Sequence, residues 1–327
     1  MNSIISKIVT VWVQVRDLYL YLFRHAIIVN GYVDDHTWCG IRHRNWGDDL
    51  NFYFLQKLTG CPIIIRHNFR MAKWLQHRNF LCIGTLLDGS KYKDCKTTIW
   101  GSGCSGADRG LTYPEKVLAI RGPKSRSYLL SQGIECPEVY GDPALLLPLV
   151  YQPKGDPPSA LPSREGTLPE TRNLKLETKK YRMGIIPHVV DLHHPVIEEI
   201  RGKYADEILI IDLAHYKKWT DVIDQICSCE RILSSSLHGL IVSDAYQVPS
   251  CWIELSGNIS GGYFKFFDYA SSVERDFNKP SRIVKVADIA DLVNHADLYF
   301  SCADAEKVKE LQQGLIKVAP FKLRLSI

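Results

Sequence analysis

Val117-Leu-Ala-Ile120, then Arg121-Gly-Pro-Lys-Ser-Arg126, then a run from Ser125 to Gln132 closed by Gly133, reads as a strand, a tight loop and a helix. The strand is apolar without alternation, the pattern of a parallel strand covered on both faces. Pro123 suits a first helical turn, and Gly133 suits a helix stop. The same unit recurs on the N-terminal side. Asp48 to Leu58 carries a helical stripe of Leu50, Phe52, Phe54, Leu55 and Leu58. Pro62 to Arg66, Asn79 to Leu87 and Thr97 to Trp100 read as short strands, and Trp38 to Arg42 as a strand end. It recurs on the C-terminal side too. Arg182 to Pro187, Ile208 to Leu213, Arg231 to Leu233 and Ser250 to Leu255 are strands. Val196 to Tyr204, Thr220 to Cys227 and Leu240 to Tyr246 are helices, and a helical third runs from about Ala287 to Leu315. Between the two series, residues 151–181 hold five prolines among Ser, Glu, Lys and Thr, as a linker or long surface loop does. The expected organisation is an N-terminal Rossmann-like domain over 1–150, a linker over 151–181 and a second such domain over 182–327. The class is α/β, with two parallel-sheet domains facing a central cleft.

Composition narrows the function. With 40 Lys plus Arg against 36 Asp plus Glu, the 327-residue chain has a formal charge of +4. That is too small and too mixed to argue for a nucleic-acid partner. At 46% hydrophobic and 23% charged residues, disorder, collagen and coiled coil are excluded as the main state. The ten cysteines include no Cys-x-x-Cys pair and no zinc-ligand spacing with His. They read as reduced, buried thiols of a cytoplasmic protein, and no metal is expected. The N-terminal run from Ile4 to Val29 is broken by Lys7, Arg16, Asp17, Arg24 and His25. It is neither a secretory signal nor a spanning helix. A buried helix and strand of the first domain is favoured over a basic-aromatic segment on a membrane surface.

In open α/β sheets the ligand lies beyond the carboxyl ends of the strands, so the strand-to-helix loops carry the chemistry. Four stand out. Asn45-Trp-Gly-Asp-Asp49 permits a tight turn in which Asp48 caps the next helix or meets a ligand. Gly101-Ser102-Gly103-Cys-Ser-Gly106 matches G-x-G-x-x-G, but the following Ala107 to Thr112 is no apolar helix and the loop lies late in its domain. A dinucleotide site is disfavoured, while backbone approach to some anion is retained. Arg121 sits at a sheet edge beside a helix N-terminus, suited to bidentate anion binding; a solvated charge is the bland reading, and fits Lys124 and Arg126. Ser234-Ser235-Ser236-Leu237-His238-Gly239 puts His238 at a helix start, where the macrodipole favours a neutral imidazole able to act as acid or base. His188, after the first strand of the second half, is a weaker candidate.

Together these strings resemble the polysaccharide pyruvyl transferase family. They are Asn45 to Asp49, Trp100 to Gly103, Arg121 to Pro123 with Arg126, Gly141 to Ala144, Ser234 to Gly239 with Asp244 to Tyr246, and Phe264-Lys-Phe266 with Asp268-Tyr269. They keep the family's order from about residue 36 to 272. The resemblance implies a GT-B-like fold and transfer of the enolpyruvyl unit of phosphoenolpyruvate to two hydroxyls of a sugar as a cyclic ketal. It implies catalytic or donor-site roles for His238 and Arg121. The lining expected around them is Asn45, Asp48, Gly101, Ser102, Gly103, His188, Ser235, Ser236, Leu237 and Lys265. The family's histidine loop often carries Arg where this chain has Ser236, so Arg42, Arg44 or Lys265 is expected to supply that charge. The implied partners are phosphoenolpyruvate, as co-substrate rather than resident cofactor, and a saccharide acceptor. A lipid-linked acceptor would suit an enzyme at the inner face of a membrane. Two other readings fit the same loops: a GT-B glycosyltransferase using a nucleotide sugar, and a non-catalytic sugar-binding protein.

Overall fold

The computed structural model describes residues 3–37, 40–66, 78–88, 96–106, 113–153, 180–259 and 262–325. Most of the Pro-rich segment, the stretch after the glycine loop at 107–112, and Cys39 and Cys95 lie outside the described residues.

The apolar unalternating runs do form two all-parallel sheets of five strands each. In the first, β1 (Ile27–Asn30), β4 (Ile63–Ile65), β5 (Asn79–Leu81), β6 (Thr97–Trp100) and β7 (Lys116–Ala119) stand in the order β4-β1-β5-β6-β7. In the second, β8 (Met183–Ile186), β9 (Ile208–Ile210), β10 (Ile232–Ser234), β11 (Ser250–Glu254) and β12 (Ser281–Arg282) stand in the order β12-β11-β10-β8-β9. Helices flank both. They are α1 (Ser3–Arg24), α2 (Trp46–Thr59) and α3 (Pro123–Ser131) in the first half. In the second they are α4 (Pro195–Lys203), α5 (Trp219–Cys227), α6 (Leu237–Ala245), α7 (Phe264–Ser272), α8 (Val286–Asn294), α9 (Ala296–Tyr299) and α10 (Ala305–Lys317).

Three strand expectations are corrected, each for a hydrogen-bonding reason. Gly40–Arg42 (β3) pairs antiparallel with Asp34–Thr37 (β2) in a separate ribbon, so the first sheet strand is β1 and not 38–42. The run from Asn79 leaves the ladder after Leu81 and returns as an isolated Thr85–Gly103 bridge, because the Asn51 side chain takes both backbone groups of Ile83, at 3.0 Å from its N–H and 2.8 Å to its C=O. The run from Ile208 ends as a strand at Ile210; farther on, the Leu213 carbonyl accepts from Trp46 N–H at 2.8 Å in the first half. The N-terminal segment is a helix followed by a strand, but much of the helix surface faces solvent.

One hydrophobic core runs through both halves. It joins Trp46, Leu50, Phe54 and Trp100 to Ile186, Leu213, Leu237 and Leu240, with the buried 3-10 segment Pro143–Leu149 between them. The C-terminal residues return to the first half. Trp100 Nε1 donates to the Leu315 carbonyl at 3.0 Å, the Phe321 ring meets Phe80 and Trp100 edge-on, and Arg324 N–H donates to the Leu58 carbonyl. Among the described residues eight cysteines are free thiols, six of them buried.

Candidate active site

The four loops do not meet equally. A pocket of about 280 Å³ is lined by Asn45 and Asp48 of the first loop, His188, Ser236, Leu237 and His238 of the second half, and Lys265 at the start of α7. Tyr32, Thr85, Asp88 and Ser105 complete it. Gly101, Ser102, Gly103 and Ser235 are buried outside this lining, and so is Arg121.

Asn45, not Asp48, caps α2: its side-chain oxygen accepts from Gly47 N–H at 3.3 Å, and its amide donates to Asp48 Oδ2 at 2.8 Å. Asp48 stands in the first turn of α2, held by Asn45, and lines the pocket. Burial first, and the neighbouring charge of Asp49 second, push the Asp48 pKa up to about 7. Asp49 itself is turned away and accepts from Tyr216 Oη at 2.6 Å.

His238 stands in the first turn of α6. Its Nε2 is buried and makes no hydrogen bond among the described residues. A Cβ on Gly47 would lie 1.9 Å from its Nδ1, so the ring occupies the space that glycine leaves. Burial, reinforced by the charges of Lys265 and Arg121, lowers the imidazole to about 3. His188 is lowered to about 4 by burial and Lys265. Both rings are therefore neutral near pH 7. Lys265 is the only lysine or arginine among the described lining residues. Its ammonium is lowered to about 8 by burial and then by Arg121. Ser236 precedes α6 without a side-chain capping bond, and Ser236, Leu237 and His238 bring the start of that helix to the pocket.

Arg121 has a different place from the clamp expected of it. It is fully buried, with Nε donating to Asp268 Oδ2 at 3.0 Å, Nη1 to Thr85 Oγ1 at 2.8 Å and Nη2 to the Cys104 carbonyl at 2.9 Å. It donates to Thr85 of the lining, and its charge contributes to lowering the pKa values of Lys265 and His238. Gly103 permits this, since a Cβ there would fall 2.3 Å from the guanidinium carbon. Gly101 packs against Pro143, and Ser102 Oγ bonds Gly84 O and Leu86 N–H, so the glycine loop serves close packing. Ser235 Oγ accepts from His188 N–H at 2.8 Å and positions that residue. Of the expected substitute cations, Lys265 lines the pocket, Arg44 is exposed and outside its lining, and the Arg42 side chain lies outside the described set.

Residues 83–257 match the model of the polysaccharide pyruvyl transferase family, more than half of the chain. The protein belongs to this family. The matched span includes Thr85, Asp88, Ser105, His188, Ser236, Leu237 and His238, and so reaches this pyruvyl transferase family member's pocket from both halves. An uncharacterised protein, L143, of Acanthamoeba polyphaga mimivirus is 24% identical over 250 residues, covering 75% of this chain and 77% of L143. The succinoglycan biosynthesis protein ExoV of Rhizobium meliloti is 24% identical over 252 residues, covering 74% of this chain; the match spans 65% of ExoV. Membership in this family assigns a transferase function in polysaccharide synthesis.

Tyr32, Thr85, Asp88 and Ser105 escaped the sequence reading. Asp88 had a legible signal, a carboxylate shortly after a sheet strand. Its Oδ2 accepts from Ser105 N–H, and Oδ1 is buried without a partner among the described residues. A wider cavity of about 1040 Å³ lies along β11 and β12, with Trp252, Lys279, Arg282, Asp288 and Tyr299 on its wall. It includes neither His188 nor His238, so we place the chemistry in the smaller pocket.

Proposed function

We propose that the protein transfers the enolpyruvyl unit of phosphoenolpyruvate to two hydroxyls of a saccharide acceptor, forming a pyruvate ketal. The observation that carries this reading is one pocket wall holding a carboxyl near pKa 7, a neutral buried imidazole, a lysine and an open helix N-terminus. The lysine and the first-turn N–H groups of α6 match the carboxylate and phosphate of the donor.

The proton count closes over two side chains. Protonated Asp48 gives its proton to the methylene carbon, which becomes the methyl group and leaves an oxocarbenium-like centre. The first acceptor hydroxyl adds there and passes its proton to His238 Nε2. Phosphate leaves with cleavage of its bond to that carbon and takes the proton from His238. The second hydroxyl adds and returns a proton to Asp48. Two C–O bonds form, one breaks, and both side chains end as they began. Lys265 holds the donor anion, and Arg121 and Thr85 keep the loop behind it in place.

The test is incubation of the protein with phosphoenolpyruvate and a panel of saccharides, lipid-linked ones included. The expected result is a product mass raised by one ketal-linked pyruvyl unit, with phosphate released only when acceptor is present. Thermal stabilisation by nucleotides but not by phosphoenolpyruvate would overturn the reading in favour of a glycosyltransferase; saturating donor should stabilise by about 2.7 kcal/mol at a hundred times Kd. Phosphoenolpyruvate binding without turnover on any acceptor would favour the non-catalytic reading.

A further inference from the structure

Helix α1 has two apolar faces, and the described residues bury one of them. Val13 and Asp17 are buried, and Leu18, Leu20 and Tyr21 pack against Ile28 and Ile64 of the first sheet. The opposite face shows Ile8, Val11, Trp12, Val15, Tyr19, Leu22 and Phe23 to solvent, with Val11 and Val15 each 63% exposed and Phe23 67% exposed. At 3.6 residues per turn these seven positions fall within an arc of about 120°, the width of an apolar stripe that normally faces a core. No other part of the described molecule exposes apolar residues in such a row.

The charges on the helix select what covers the stripe. Lys7 and Arg16 stand at its two edges, and Arg16 lies 5.3 Å from the Trp12 ring centre. The helix has one acidic residue, Asp17, and it is buried and paired with Arg16 at 2.6 Å. In a symmetric pairing of two copies along this stripe, the exposed Lys7 would find no exposed carboxylate on the partner's helix, whose acidic residue is buried and held by Arg16. An anionic bilayer surface supplies that charge. The side chains fit the same environment, because Trp12 and Tyr19 combine an apolar ring with a polar atom, as residues at a membrane–water boundary do. None of the described helices is long and apolar enough to cross a membrane, so the stripe belongs in the surface plane.

We propose that α1 is a membrane-surface helix that seats its Ile8–Phe23 stripe in the headgroup–acyl boundary of an anionic bilayer. The docking is independent of the reaction catalysed. It would bring the pocket to a lipid-linked acceptor if the acceptor is of that kind.

The experiment is co-sedimentation of the full chain with vesicles of phosphatidylcholine containing phosphatidylglycerol, with pure phosphatidylcholine as the control. Binding to the anionic vesicles should weaken as salt is raised. The double variant Val11→Asp with Val15→Asp should lose affinity by about tenfold or more, with an unchanged melting temperature, because both residues point to solvent. Phe23→Ser provides a second, milder variant with the same expected direction. Wild-type protein that stays in the supernatant with both vesicle types would overturn the proposal, as would variants that bind like wild type. A wild-type dimer that the double variant turns into a monomer, with no vesicle binding, would assign the stripe to a second copy of the chain instead.

Discussion

At the scale of single residues the site is a contest between burial and charge. Asp48 illustrates it. Its carboxyl meets a hydrogen bond from Asn45 and the charge of Lys265, both favouring ionisation, yet desolvation wins and holds the pKa near 7. If Asp48 is the proton donor, the rate falls as pH rises through about 7. Asp48→Asn should lower kcat by about 10²–10⁴-fold and abolish that limb of the pH profile. The same shift makes a stability prediction of opposite sign. A raised carboxyl pKa contributes stability below the unfolded value of 3.8 that is lost as pH rises through about 7. At pH 8 the variant should therefore be the more stable of the two, by on the order of 1 kcal/mol or roughly 2 °C in Tm. Lys265 gives a third readout. Its ammonium, lowered to about 8, deprotonates above that pH, so phosphoenolpyruvate affinity should decline there, and Lys265→Met should bind the donor weakly at every pH. His238 was legible in the sequence as a histidine after a strand. The exchange of roles between Asn45 and Asp48 was not, because either side chain can cap a helix and only the loop's conformation chooses. Nor was the retreat of Arg121 behind Thr85, since its partner Asp268 is 147 positions away.

At the scale of elements, α2 and α6 meet end to end at the pocket, and one glycine sets their separation. Gly47 lies in the first turn of α2, and a Cβ there would fall 1.9 Å from His238 Nδ1 and 2.3 Å from its Cγ. Gly47→Ala should therefore expel the imidazole while leaving α2 intact, alanine being the better helix former by about 1 kcal/mol. The expected kinetics are a fall in kcat like that of His238→Ala. The double variant should be no worse than either single one, which steady-state rates in a double-mutant cycle would show. Equal loss of circular dichroism at 222 nm would instead mark a helix defect. Most strands and helices were readable from runs and caps, since unalternating apolar runs of four residues can be satisfied only between two covering layers. Strand ends were less readable. Asn51 stops one by bonding Ile83, and no local pattern in the run Asn79 to Leu87 announces a side chain from another element.

At the scale of the whole molecule the two α/β halves share one core, and a buried ion pair crosses between them. Arg121 and Asp268 are each fully buried and 3.0 Å apart, and Asp268 also accepts from Ser125 N–H at 2.7 Å and Ser125 Oγ at 2.6 Å. Gly122 allows the approach, since a Cβ there would fall 2.0 Å from the Asp268 carbonyl oxygen. One end of this cluster fixes the loop after β7; the other fixes α7, which carries Lys265 into the pocket. Composition and a Pro-rich break suggested two halves, but pairing across them joins residues far apart in sequence, which no local pattern encodes. Removing one partner of a buried pair leaves an uncompensated charge and costs about 3–5 kcal/mol, whereas the intact pair adds far less than that to net stability. Asp268→Ala should therefore lower Tm by several degrees. It should also weaken phosphoenolpyruvate binding, because α7 loses its tether while His238 and Asp48 keep theirs. The shared core predicts that calorimetry of the wild type shows one cooperative transition. If Asp268 acts only as a local cap of α3, its loss would leave donor affinity unchanged and cost closer to 1 kcal/mol. Two resolved transitions in the wild type would show that the halves fold independently and that the cluster is a surface contact between finished domains.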